Sequence, residues 1–472
     1  MSLPTLGIDA YQLTTLIAHA DAGRLGHQVC MSFFFRRMPQ HRNFVVFAGL
    51  RQLMDHAAQI SVEENELIAL DKHPVIGKAL RMRGALKTAL QKMKGFVGDI
   101  DACAEGTLLY AGGAQSSAGK PIDIVGAPLH VYIPMMQVRT DMVRAKFIET
   151  PWLGYINYMS MVASKAARVV IAADGKPVLE FGSRRTHPQA ALDAAYAAYL
   201  AGVDGSSNIA AYRKYGVPAV GTMDHFAVQA SERLDKSPMD TETEFFTAFA
   251  KVFPEAAVLL VDTYETERGI RSAVTATQGR LTGIRLDSSV SVEAVQRARA
   301  MLVKMNAANA KIYCSDGLDE FRVRELQKYA DGFGVGENIT TSPDSATGVG
   351  AVSKITINGY GKVTMKLAKG SGKATLPGEL QVYRFPKFDY VCLSHEIPPT
   401  AGKPLLLPVW RGAKPVGTLP TLEESRAFVR DQIMQLPATT KGLEPAEQPR
   451  TLVASDALVD EVRRLVEETR VS

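Results

Sequence analysis

Short apolar runs alternate with helical stretches through the middle of this chain, and that alternation restricts the fold more than any other feature. The runs fall at residues 168–172, 178–181, 219–221, 257–262, 283–286, 311–314 and 332–335. Helical patterning separates them at 190–201, 242–252, 266–278, 292–306 and 319–329, after a long helix expected over 150–167. Strands that alternate with helices form parallel βαβ units. So many units predict an irregular α/β barrel with parallel strands, a closed or nearly closed one. In such barrels the chemistry gathers at the C-terminal ends of the strands.

The flanks follow a different pattern. A loop enters a helix at residues 7–17, with Asp9 as its N-cap and Tyr11 in its first turn. Tyr11 either packs in the core or faces a site. A half-buried strand over 29–35 follows, then a strand turning into a helix over 43–50, helical periodicity over 61–94, and short strands at 108–110, 122–125 and 130–133. In the tail, Gly370-Ser371-Gly372 and Pro377-Gly378 punctuate turns. Segments 381–385 and 390–393 read as antiparallel strands, 404–410 as another strand, and 422–436 and 457–469 as helices. The chain has 472 residues, more than one core accommodates. The tail is too short for a core of its own, so it is expected to pack back on the N-terminal segment. Three parts result: 1–148 as an N-terminal α+β domain, 149–365 as the barrel, and 366–472 completing a discontinuous α+β domain.

Charge and cysteine content exclude several classes. Lys and Arg number 54 against 49 Asp and Glu, a net charge of +5, which suits an anionic substrate and does not suggest nucleic acid. The four cysteines form no CxxC pair, so a disulfide framework or zinc site is not expected and a reducing cytoplasm is. No signal peptide is legible at the start, and no apolar run is long enough to span a bilayer.

The strand ends carry the polar residues. Run 178–181 leads into Phe181-Gly182-Ser183-Arg184-Arg185, two fixed cations behind a glycine turn. Arginine forks suit carboxylate and phosphate, although ordinary surface ion pairs would use the same residues. Later strands end in Asp262-Thr263-Tyr264, Arg285-Leu286-Asp287-Ser288-Ser289, Ser315-Asp316-Gly317-Leu318-Asp319 and Gly334-Val335-Gly336. Asp262 and Asp287 suit ribose hydroxyls or a Mg2+-bound pyrophosphate; either could instead cap a helix. Arg285 could stack on or pair with an anionic ring. Gly334 and Gly336 would let backbone N–H groups approach a phosphate. Ser206, Ser207 and Asn208 precede a helix, whose N-terminus favours anions. His225 follows Asp224, and a His beside an Asp can be held in one tautomer and made nucleophilic or basic. His187 and His395 read as structural.

Taken in order, these stretches resemble the nicotinate phosphoribosyltransferase family. Further matching segments are Asp9-Ala10-Tyr11-Gln12-Leu13-Thr14, Phe34-Phe35-Arg36-Arg37, Ser164-Lys165-Ala166-Ala167-Arg168, Gly221-Thr222-Met223-Asp224-His225, Leu318-Asp319-Glu320 and Thr375-Leu376-Pro377-Gly378. The resemblance implies an enzyme that joins nicotinate to phosphoribosyl pyrophosphate, releases pyrophosphate, and couples the reaction to ATP through a phosphohistidine at His225, with Mg2+ present. Phe181, and Tyr11 from the partner of a homodimer, would sandwich the pyridine ring. Arg184 and Arg285 would lie beside the ring and its carboxylate, Asp287 would hold ribose hydroxyls, Gly334 and Gly336 would bind the 5′-phosphate, and Arg185 and Asp262 would also bind substrate. Ser207 stands where related nicotinamide enzymes carry Asp, which favours a carboxylate-bearing base. The chain departs from the family at Ser289-Val290, where Gly-Asp is usual, and at Ala10, Asp224 and Phe226. Those departures keep two alternatives in view: a transferase for nicotinamide or another pyridine base, and a catalytically weakened pyridine-nucleotide binder.

Overall fold

The computed structural model describes the chain except residues 1–4, 36–37, 40, 117–118, 123–128, 346–347, 368–372, 448 and 472. Arg36-Arg37, most of the run at 122–125, and Gly370-Ser371-Gly372 therefore lie outside the described residues. Two compact units are present, one of Met1–Met161 with Thr347–Ser472 and the other of Val162–Ala346.

The first unit is a discontinuous α+β body with two six-stranded sheets. One runs in the order Ala351–Ile357, Gln28–Phe35, Met136–Asp141, Gly98–Ala102, Leu407–Arg411, Lys414–Pro415. The other runs Lys403–Pro404, Leu380–Arg384, Phe388–Leu393, Thr451–Ala454, Ala111–Gln115, His130–Tyr132. Each sheet thus combines early and late segments of the chain. Strand Gln28–Phe35 is buried from Val29 onward rather than half-buried, which its Phe33-Phe34-Phe35 run requires. Phe34 stacks on Tyr132 with centroids 3.6 Å apart. Strands Gly98–Ala102 and Met136–Asp141 escaped the sequence reading; the first carries a glycine and two aspartates, residues depleted in strands. Asp9 does occupy the N-cap of Ala10–Asp21, yet its carboxylate caps nothing: Oδ2 accepts from Thr150 Oγ1 at 2.8 Å. Tyr11 is 50% exposed, so it is not a core residue of this chain.

The long helix, α1 (Met142–Ala172), corrects two expectations. It begins ahead of Pro151, which it holds internally, where the sequence suggested a start at 150. It also continues through 168–172, so that apolar run is helix and not strand. Its apolar residues are simply the buried side of a helix, and a short run cannot reveal which period it belongs to.

Beyond α1 come β1 (Val178–Glu180), α2 (Pro188–Leu200), β2 (Gly205–Ser206), α3 (Ile209–Tyr215), α4 (His225–Gln229), α5 (Pro238–Val252), β3 (Val258–Leu260), α6 (Thr266–Thr277), β4 (Gly283–Leu286), α7 (Val292–Lys304), β5 (Lys311–Cys314), α8 (Glu320–Leu326), β6 (Gly332–Val335) and α9 (Glu337–Thr340). The sheet is parallel, in the order β3-β4-β5-β6-β1-β2. The run at 219–221 forms no named strand; Ala219 makes one parallel bridge to Ser206. The half-barrel is continued there by a side chain, since the Leu260 N–H donates to Met223 Sδ at 3.2 Å. Side-chain caps start several of these helices. Asn208 caps α3, Asp224 α4, Ser291 α7 and Asp319 α8. Each cap satisfies N–H groups that the helix cannot and fixes the loop before it.

Candidate active site

The strand ends of the half-barrel surround a pocket of about 420 Å³. Phe181, Arg184, Arg185, Ser207, Arg285, Asp287, Gly334 and Gly336 all line it. Asp262 and His225 contact the lining residue Asp287 from its edge. The Asp287 N–H donates to Asp262 Oδ2 at 2.6 Å, and His225 Nε2 lies 3.6 Å from Asp287 Oδ2. Tyr11 belongs to the other unit.

At the β1 end, the Phe181 N–H donates to the Val335 carbonyl at 3.0 Å. Beneath the turn lies Glu180, 1% exposed. Its carboxyl accepts from the Gly182 N–H, from Thr340 Oγ1 at 3.1 Å and from Ser206 Oγ at 2.5 Å. Burial raises its pKa, and those three donors oppose the rise. The role of Glu180 is not legible in the sequence, because a lone acid at a strand end gives no sign of burial.

The two glycines line the pocket and also pack against Phe181. A Cβ on Gly334 would stand 2.4 Å from Phe181 Cε2, and one on Gly336 would stand 3.1 Å from the Phe181 carbonyl oxygen. Both glycines make room for the Phe181–Gly182 segment. Backbone near a neighbouring strand needs glycine as much as backbone near a phosphate does.

Arg285 points inward from β4, its Cζ 5.9 Å from the Phe181 ring centroid. Burial lowers its pKa, while Asp287, Asp262 and Asp224 counter that fall. Its Nε has no hydrogen-bond partner among the described residues, and neither do the buried hydroxyls of Ser183 and Thr222, both of which line the pocket. Asp287 Oδ1 accepts from Ser315 Oγ at 2.6 Å. Asp262 Oδ1 is buried without a hydrogen-bond partner among the described residues, and burial raises the pKa of that carboxyl.

His225 is held otherwise than its neighbour in sequence suggests. Asp224 Oδ1 accepts from the Ala227 N–H at 3.0 Å and is occupied as a helix cap. The imidazole instead meets Thr263 Oγ1 through Nδ1 at 3.1 Å and faces Asp287 through Nε2. Likewise the N-terminus of α3 is not open to an anion, because Asn208 Oδ1 accepts from the Ala210 and Ala211 N–H groups. Only Ser207 of that stretch reaches the pocket. His187 is structural, accepting from the Gln189 N–H at 3.4 Å. Arg185 sits 3.9 Å from Glu337, a loose and exposed pair.

Fold and pocket together define an α/β half-barrel enzyme whose strand ends gather arginines, carboxylates and a histidine about one pocket. Residues 177–382 match the nicotinate phosphoribosyltransferase (NAPRTase) family, and residues 6–81 match its N-terminal domain. A nicotinate phosphoribosyltransferase of Mycobacterium tuberculosis is 32% identical over 473 residues, spanning 97% of this chain and 93% of that protein. One from Bacillus subtilis is 29% identical over 395 residues, spanning 80% of this chain and 73% of that protein. Among solved structures, human nicotinic acid phosphoribosyltransferase aligns with a TM-score of 0.78 over 97% of this chain and 99% of its own, at 23% identity. Nicotinate-nucleotide pyrophosphorylase from Pyrococcus furiosus aligns with a TM-score of 0.70 over 91% and 95%, also at 23% identity. The chain belongs to the nicotinate phosphoribosyltransferase family.

Proposed function

We propose that this enzyme makes nicotinate mononucleotide and pyrophosphate from nicotinate and phosphoribosyl pyrophosphate, coupled to ATP hydrolysis, in salvage synthesis of NAD. The observation that carries the reading is the pocket itself: an aromatic ring, an inward-facing guanidinium and two adjoining carboxylates at successive strand ends. In the reaction the pyridine nitrogen bonds to the anomeric carbon as the carbon–oxygen bond to pyrophosphate breaks. The attacking lone pair needs no base, so the site must position the reactants and stabilise charge. Phe181 offers a face for the ring. Arg184 and Arg285 attract its carboxylate, and Asp287 accepts from ribose hydroxyls. Gly334 and Gly336, where β6 gives way to α9, would bind the 5′-phosphate. His225 would take the phosphoryl group of ATP, its ring oriented by Thr263 and Asp287.

The carboxylates also fit Mg2+. Among the described residues no cluster of three or more potential ligands exists, so protein alone does not cage an ion. Asp262, with its unpartnered Oδ1, and Asp287 would instead share Mg2+ with pyrophosphate oxygens and water, the usual arrangement for this ion. When bound, Mg2+ neutralises charge on the leaving group.

Nicotinate is favoured over nicotinamide because Ser207, in the pocket wall, does not repel a carboxylate. We place the enzyme in a reducing cytoplasm, since all four cysteines are buried and unpaired. Among the described residues no helix is long and apolar enough to cross a membrane. We also propose a homodimer in which Tyr11, half exposed here, completes the partner's site. One observation favours the weakened-homologue reading: Val290 is buried, 6% exposed, where the family has a carboxylate. The decisive assay follows product from phosphoribosyl pyrophosphate and Mg2+ with nicotinate or nicotinamide, each with and without ATP. Nicotinate mononucleotide formed faster with ATP is the expected result. Tight binding of that nucleotide with no turnover would replace this reading with the binder.

A further inference from the structure

Two stretches that carry the family resemblance, Ser164–Arg168 and Leu318–Glu320, have no part in the chemistry above, yet they meet in the fold. Lys165 and Arg168 project from α1 and are 3% and 4% exposed; Glu320, the first residue of α8, is 0% exposed. Lys165 Nζ lies 2.6 Å from Glu320 Oε2, and Arg168 Nε donates to Glu320 Oε1 at 2.8 Å. Lys165 Nζ also reaches Asp344 Oδ2 at 3.1 Å.

The positions of the two acids matter. Glu320 ends the loop whose residues Ser315 to Leu318 line the pocket. Asp344 follows α9, which leaves the other lining loop at Gly336. One ammonium therefore ties the far sides of both loops together. At the pocket a second tie joins them: Asn338 Nδ2 of α9 donates to the Gly317 and Leu318 carbonyls, each at 3.0 Å. Buried ion pairs add little net stability but have strict geometry, because an unpaired member is costly. Asp316 has a positive φ of 108°, which an L-residue rarely adopts, so the loop does not hold this shape by its own backbone preference.

We propose that Lys165 and Asn338 are positioning residues that set the spacing between loop 315–318 and the β6–α9 junction at Gly336, and through it the affinity for the phosphorylated sugar substrate. The inference rests on reading this pocket as the phosphoribosyl pyrophosphate site. The ring seat at Phe181 is held by Glu180 and by the Val335 carbonyl, through bonds in which neither Lys165 nor Asn338 takes part, so the two substrates respond differently.

The test measures KM for each substrate, kcat and the melting temperature of Asn338→Ala, Asn338→Gln and Lys165→Met. Asn338→Ala should raise KM for phosphoribosyl pyrophosphate about tenfold, the scale of one lost hydrogen-bonded contact, and KM for nicotinate less than about twofold. Asn338→Gln should recover part of that loss, and Lys165→Met should act in the same direction. Should Lys165→Met fail to fold, the Asn338 pair decides alone. Unchanged KM for the sugar substrate in Asn338→Ala, or both KM values rising in parallel with a fall in melting temperature, overturns the positioning role. A wild-type enzyme that neither turns over nor binds phosphoribosyl pyrophosphate by calorimetry overturns the functional reading and this inference with it.

Discussion

Single residues in the 287–290 loop differ in what they tolerate. Ser289 has φ 51°, in the left-handed region that costs an L-residue roughly 1–2 kcal/mol and a glycine little. Ser289→Gly is therefore expected to stabilise the chain by about 1 kcal/mol, read as a higher denaturant midpoint. Val290 is the opposite case. It is buried, and its carbonyl accepts from Arg322 at 2.6 Å. Val290→Asp, the family's usual residue, should cost about 3 kcal/mol here because it buries an unpaired charge. Equal stability of the two variants would contradict this reading of the loop. The family motif is thus not restored by two independent changes. At the site, His225→Ala should keep slow transfer and lose stimulation by ATP. The same ATP stimulation in variant and wild type would remove His225 from the coupling. The residue pairs that matter here were not legible, since His225 takes Thr263 and Asp287 as partners and passes over its chain neighbour Asp224.

Elements set which of those residues can meet. The ends of β4, β5 and β6 were placed correctly from their apolar runs, and with them Arg285, Asp287, Ser315 and Gly334. Parallel pairing then puts consecutive strand ends side by side, whatever their distance in sequence. The 168–172 run was misread because a few buried apolar residues are compatible with either period. Gly334 belongs to this scale, since its role is the packing of β6 against the end of β1. Gly334→Ala puts a carbon 2.4 Å from the Phe181 ring and should cost about 1–3 kcal/mol of overpacking. The ring can yield only by leaving its seat, so KM for nicotinate should rise about tenfold or more by the same energy. An unaltered KM would mean that Phe181 is not the ring's platform.

At the scale of the whole molecule, the first unit carries its own pH sensitivity. His56 accepts from Trp152 Nε1 at 3.1 Å, and burial lowers its pKa to about 4. The folded state therefore prefers neutral imidazole more than the unfolded chain does. The stability this contributes is complete above the ordinary histidine pKa of about 6.5 and is lost as pH falls from there through 4. His56→Gln, which keeps an acceptor without titrating, should flatten the decline in melting temperature between pH 6.5 and 4. A decline as steep as that of wild type would assign it to other groups. The proposed dimer is tested by light scattering under assay conditions, where a fully active monomer would exclude a role for Tyr11 in a neighbour's site.

By itself the sequence determined the parallel strand–helix succession, the strand ends on which polar residues accumulate, and a family resemblance along nearly the whole chain. Those are properties of local period and of residue order. Tertiary structure decided the rest. It set Glu180 beneath the turn, gave Gly334 and Gly336 to Phe181, turned His225 toward Asp287, and brought Lys165 to Glu320. Each depends on burial or on a partner far away in the chain. Whether a carboxyl is solvated, or a glycine faces a ligand or a neighbouring strand, is a question of three-dimensional neighbours that no local pattern encodes.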